Sequence, residues 1–125
     1  MTTATPTGTV ARFLDALAAR DFDAVGACFA ADARLRALVP ARLRDEEGPD
    51  AIRDRFAYWY GGLGDFELTT AEADVFADRV RVRYAACGVH PTDGPVVQEQ
   101  EGYATVVDGQ IATLNVVCSG FRPAP

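Results

Sequence analysis

Apolar positions recur at helical spacing in the first part of the chain and alternate along most of the second half. In "TVARFLDALAARDFDAVGACFAAD", Val10, Phe13, Leu14 and Leu17 fall on one face of an amphipathic helix. Asp21 then suits the N-cap of a second, short helix burying Phe22, Val25, Cys28 and Phe29. "ARLRALVP" alternates and stops at Pro40, which predicts a strand with Leu35, Ala37 and Val39 on one face and Arg34 and Arg36 on the other. In "GPDAIRDRFAYWYGGLG", Pro49 fits a first helical position and the glycines fit the end. Ile52, Phe56, Trp59, Tyr60 and Leu63 form the apolar side of this third helix. Arg42, Arg44 and the following "DEEG" are read as a connecting stretch with surface ion pairs, substrate-carboxylate capture being the lesser reading.

The remainder predicts strands. "FELTTAEADVF" and "RVRVRYAACGV" flank Ala77-Asp78, a hairpin turn that sets Asp74 opposite Arg81 and Glu72 opposite Arg83. Cross-strand charge pairs of this kind belong on a solvated face, so Val80, Val82, Tyr84 and Ala86 point inward. "HPTDGP" is a loop, and Asp108-Gly109 joins the last two strands. Pairing them through that two-residue turn puts Val107 opposite Gln110, Tyr103 opposite Leu114, Glu101 opposite Val116 and Glu99 opposite Cys118. One face is then Glu99, Glu101, Tyr103, Thr105, Leu114, Val116 and Cys118. The other is Gln98, Gln100, Gly102, Ala104, Val106, Ile111, Thr113, Asn115 and Val117. Neither is cleanly apolar, so periodicity leaves open which one points inward. Three helices, one early strand between them and a run of antiparallel strands make an α+β order.

Composition narrows the function classes. The 125 residues suit a single domain, expected over residues 9–121, with a frayed start at 1–8 and a tail at 122–125. A net charge of −6 argues against nucleic acid or an anionic membrane as the main partner, since both reward clustered basic residues. No leader pattern or membrane-length apolar run is visible, and Cys28, Cys87 and Cys118 are far apart with no metal-ligand spacing. The expectation is a soluble cytoplasmic protein with reduced thiols, no protein-built metal site and no cofactor.

The phrases "FAADARLRALVP…GPDAIRDRFAYW" and "YATVVDGQIATLNVV" resemble the SnoaL-like and ketosteroid-isomerase-like members of the nuclear transport factor 2 superfamily, over roughly residues 9 to 120. The resemblance implies a strongly curved, mixed or antiparallel sheet wrapped around three helices, a conical apolar pocket and, in many members, a homodimer. It also places the last strands' first face toward the pocket. The oxyanion-stabilising aspartic acid of ketosteroid isomerases falls on Tyr103, and a cavity aromatic falls on Cys118. The general-base aspartate falls on Ala37 and the first-helix tyrosine on Phe13, so steroid isomerisation by the known arrangement is not expected.

What the resemblance implies is a small enzyme working by acid–base chemistry on an apolar, carbonyl-bearing metabolite, as an isomerase, cyclase or dehydratase. Glu99, Glu101 and Tyr103 are its candidate catalytic groups. Phe13, Ala37, Phe56, Trp59, Tyr84, Leu114, Val116 and Cys118 are the candidate pocket lining. The alternatives are a non-catalytic ligand-binding domain and a dimeric association module. His90 is read as a turn residue or as a group at the pocket's rim.

Overall fold

In the computed structural model, which describes residues 5–125, Thr5 opens the first helix by accepting the Gly8 N–H on its hydroxyl at 3.0 Å. This helix, α1 (Pro6–Ala18), therefore starts inside the stretch expected to be frayed; residues 1–4 of that stretch lie outside the described residues. Asp21 caps α2 (Phe22–Ala27) by accepting the Ala24 N–H at 3.1 Å, as its sequence position predicts. The strand β1 (Phe29–Val39) follows at once, so Phe29 enters the core from a strand rather than from the helix.

A second strand, β2 (Arg42–Glu47), turns back along β1 through Pro40 and Ala41. It occupies what the sequence reads as a connection. "RLRDEE" carries a single apolar residue, so no period marks it, and its charges suit an exposed sheet edge. Arg34 on β1 holds Asp45 on β2 through two hydrogen bonds of 2.9 and 2.6 Å, and this pairing lowers the Asp45 pKa.

Helix α3 (Pro49–Tyr60) leads into β3 (Gly64–Phe76), β4 (Arg79–His90), β5 (Gly94–Val107), β6 (Gln110–Cys118) and the two-residue β7 (Arg122–Pro123). The seven strands form one curved, open sheet in the order β2-β1-β6-β5-β4-β3, with β7 beside the start of β5. Only β1 and β6 run parallel; the other pairs are antiparallel, so the sheet is mixed. The β3–β4 register sets Asp74 opposite Arg81 and Glu72 opposite Arg83. Val80, Val82, Tyr84 and Ala86 are correspondingly buried. This is the α+β cone of the nuclear transport factor 2-like fold.

The helices lie in the sheet's concave side. Phe13 of α1 is fully buried there, meeting Phe29, Phe56 and Tyr84 edge-on at ring-centroid distances of 5.7, 5.4 and 6.1 Å. Burial of this aromatic cluster with Leu17, Ile52, Leu35 and Leu114 is the main source of stability. Among the described residues, no helix is long and apolar enough to cross a membrane.

Candidate functional site

The last hairpin decides which polar groups reach the interior. Its turn is as expected, with Asp108 and Gly109 at positive φ and Val107 opposite Gln110. Val106 pairs with Ile111, but Thr105 pairs with Thr113, leaving Ala112 as one extra residue on β6. This β-bulge shifts the partner strand by one position and so exchanges the faces of β5 relative to β6. Leu114, Val116 and Cys118 remain inward, as expected. Their face companions on β5 are Gln98, Gln100, Gly102 and Ala104.

Glu99, Glu101 and Tyr103 are therefore corrected from the pocket to the outer face, where all three are exposed. Their pairings follow suit: Glu99 lies across from Ser119, Glu101 from Val117 and Tyr103 from Asn115. Glu99 is in ion-pair contact with Arg122 at 3.2 Å, and Glu101 with Arg81 at 2.5 Å. The Tyr103 ring packs on Phe76 with centroids 5.3 Å apart. Glu101 and Tyr103 do share a concavity, a groove of about 400 Å³ with Arg36, Leu38, Leu43, Asn115 and Val117, but it lies on the sheet's outside. At Gly102, β5 runs tight against β6. A Cβ there would fall 1.8 Å from the Asn115 oxygen, so any other residue would push the strands apart.

Inside, the candidate lining residues Phe13, Ala37, Phe56, Tyr84, Leu114, Val116 and Cys118 are all buried, and Trp59 nearly so. They are packed into the interior of the cone, with Trp59 reaching the rim. The polar groups among them form a chain that was not foreseen from the sequence. Tyr60 donates its hydroxyl to the Gln98 side-chain oxygen, and Tyr84 donates to that of Gln100. The Gln100 amide nitrogen in turn donates to the Gln98 oxygen at 3.4 Å. Gln98 and Gln100 are only 2% and 1% exposed; with Thr9 they are the buried polar residues among those described. The bulge is what puts both amides on the same side as Leu114, Val116 and Cys118, and it leaves no mark in the pattern of apolar positions.

This chain is electrically neutral. Burial pushes the pKa of both phenols well above the ordinary tyrosine value; neighbouring Tyr84 and Cys118 add to the effect at Tyr60, and Cys118 adds at Tyr84. Neither phenol can act as a base near neutral pH. Both can donate hydrogen bonds, and the amides can donate and accept. No buried side-chain polar atom among the described residues lacks a partner, and no group of three or more His, Cys, Asp or Glu there is arranged to hold a metal ion.

Tyr60 is fully buried behind Phe121 at the wide end, with ring centroids 6.4 Å apart. There Tyr58, Trp59, Gly62, Leu63, His90, Pro91 and Phe121 line a cleft of about 330 Å³. His90 closes β4 at this rim. Its Nδ1 accepts the backbone N–H groups of Thr92 and Asp93, each at 3.2 Å, which leaves the ring proton on Nε2. Arg20 steadies the end of α3, donating to the carbonyls of Tyr60 at 3.2 Å and Leu63 at 2.6 Å.

Residues 10–114 match the sequence model of the SnoaL-like domain. Among solved structures, a Catenulispora acidiphila protein with a ketosteroid isomerase-like fold, in complex with trimethylamine, superposes with a TM-score of 0.74 at 18% identity, covering 93% of this chain and 88% of that one. A candidate polyketide cyclase from Xanthomonas campestris gives 0.71 at 20% identity, covering 90% and 88%. A candidate isomerase from Bacillus subtilis gives 0.72 at 18% identity, covering 91% and 86%. At these identities the likeness is one of fold. No curated protein matches the sequence.

Proposed function

Because this chain belongs to the SnoaL-like domain family, we propose that it is a small-molecule-binding member holding an apolar, carbonyl- or hydroxyl-bearing metabolite at the wide end of its cone. The observation that carries this reading is the neutrality of the interior: two phenols and two amides, with both glutamates outside. Neutral donors and acceptors in an apolar setting orient a ligand by hydrogen bonds. A ligand carbonyl could replace a glutamine oxygen as the acceptor of a tyrosine hydroxyl. The cleft of about 330 Å³ at the rim has the size of a small ligand site.

An isomerase, cyclase or lyase acting on the same kind of metabolite is the second reading, favoured by the fold shared with the candidate cyclase and isomerase. It needs a proton acceptor with a pKa near the working pH. The two buried phenols do not meet that need, although they could stabilise a developing oxyanion. Thermal-shift measurements with a panel of apolar ketones and alcohols test the choice. The binding reading expects a compound that raises the Tm of the wild type but not of Tyr60→Phe, with no turnover. Binding by no compound, or equal binding by the variant, would contradict it.

We also propose that two copies associate through the outer face of β2, β1, β6 and β5. The reading is supported by the apolar side chains left on that face, where Leu38 and Leu43 are each 53% exposed and Val117 61%.

A further inference from the structure

We propose that residues 119–125 form a strap that opens locally, with Phe121 as a removable plug in the mouth of the cone. Beyond Cys118 the chain leaves β6 through Ser119 and Gly120 and lies along the start of β5, with Val97 opposite Arg122 and Val96 opposite Pro123. Its backbone ties run to β5: Ser119 N–H to the Glu99 carbonyl at 2.8 Å and Ala124 N–H to the Pro95 carbonyl at 3.1 Å. The Ser119 hydroxyl also accepts the Glu99 N–H at 2.8 Å.

From this strap Phe121 turns inward. Its ring stands perpendicular to that of Tyr60 at 6.4 Å and lies 6.4 Å from the ring of His90. It thus separates the mouth cleft from Tyr60, the first member of the interior hydrogen-bonded chain. At the strap's start the Gly120 N–H donates to the sulfur of buried Cys118 at 3.3 Å.

Three features make this the segment that yields first. It is only two residues of ladder, its Arg122–Glu99 ion pair is half-exposed and correspondingly weak, and it pivots at Gly120 with φ of +71°. Short segments with few buried contacts open well below the free energy of global unfolding. Phe121 holds the strap shut by packing on the core, whereas Glu99 and Arg122 guide it from outside. That the opening admits a ligand rests on the binding reading; the opening itself does not.

Thiol labelling measures the opening in ligand-free protein. With Cys28→Ala and Cys87→Ser substituted, Cys118 is the one remaining thiol. Its alkylation by iodoacetamide is followed against urea concentration. The strap predicts a labelling rate at low urea that is independent of denaturant and faster than global unfolding allows. Phe121→Ala should raise that rate by about tenfold or more, and the exposed variant Arg122→Ala by a smaller factor, with the urea midpoint of Arg122→Ala unchanged. Labelling that tracks global unfolding at every urea concentration would overturn the proposal. So would local opening that Phe121→Ala leaves at the wild-type rate. Failure of the ligand panel with fast Cys118 labelling would remove the binding reading and leave the strap standing.

Discussion

Tyr84 on β4 donates its hydroxyl to the side-chain oxygen of Gln100 on β5, directly opposite it in the sheet, with both residues fully enclosed. Removing the donor alone leaves a buried amide oxygen without its phenol. Tyr84→Phe should therefore cost about 1–3 kcal/mol in urea denaturation. Combining it with Gln100→Leu should cost less than the sum of the two single changes, because the unsatisfied group is then gone. Strict additivity would mean that the two side chains do not interact.

The same burial predicts alkaline sensitivity. Tyr60 and Tyr84 keep their protons in the folded state to a pH well above the ordinary tyrosine value, chiefly because phenolate would be desolvated. The unfolded chain releases those protons near pH 10, so it binds fewer protons than the native state above that point. Stability is therefore full below about pH 10 and falls as pH rises further, by up to about 1.4 kcal/mol per pH unit for each of the two tyrosines. Urea midpoints from pH 8 to 11 check this, and Tyr60→Phe should make the decline shallower. A stability unchanged across that range would place both hydroxyls in water.

The outward glutamates should be expendable. Glu99 and Glu101 make half-exposed ion pairs with Arg122 and Arg81. Glu99→Gln and Glu101→Gln should each change stability by about 1 kcal/mol or less, as exposed pairs do. Deleting Ala112, by contrast, removes the bulge and would turn Glu101 and Tyr103 toward the core side of Leu114 and Val116. That variant should fail to fold cooperatively. A native-like ΔAla112 protein would show that the register does not depend on the bulge.

These two outcomes mark the limit of what the sequence discloses. The helix cap at Asp21, Pro49 at the first position of α3, the charge pairing across β3 and β4 and the Asp108-Gly109 turn are all local chemistry, and each is legible. The inward faces of β1 and β4 follow from apolar alternation, and that of β6 only from the family resemblance. The site was not legible, because on β5 glutamate and glutamine alternate and both faces look polar. A single inserted residue, Ala112, then chose between them. Strand β2 is not legible because both of its faces carry charge, and Phe121 is not legible because it lies outside any strand, just before the two-residue β7.

Association through the outer sheet face has its own test. Val117 sits mid-face among Leu38, Leu43 and Tyr103, so Val117→Asp should abolish any dimer seen by sedimentation at micromolar concentration without lowering the Tm of the monomer. A wild type that sediments only as monomer would remove this proposal.

That neutral amides rather than carboxylates face the interior is tested most directly by NMR of the three glutamine side chains, selectively ¹⁵N-labelled. The amide protons of Gln98 and Gln100 should exchange slowly with water and show through-space contacts to the rings of Tyr60 and Tyr84, while exposed Gln110 exchanges fast and serves as the internal control. Exchange at Gln98 and Gln100 as fast as at Gln110, with Tyr60 or Cys118 in contact with Glu99 or Glu101 instead, would contradict it.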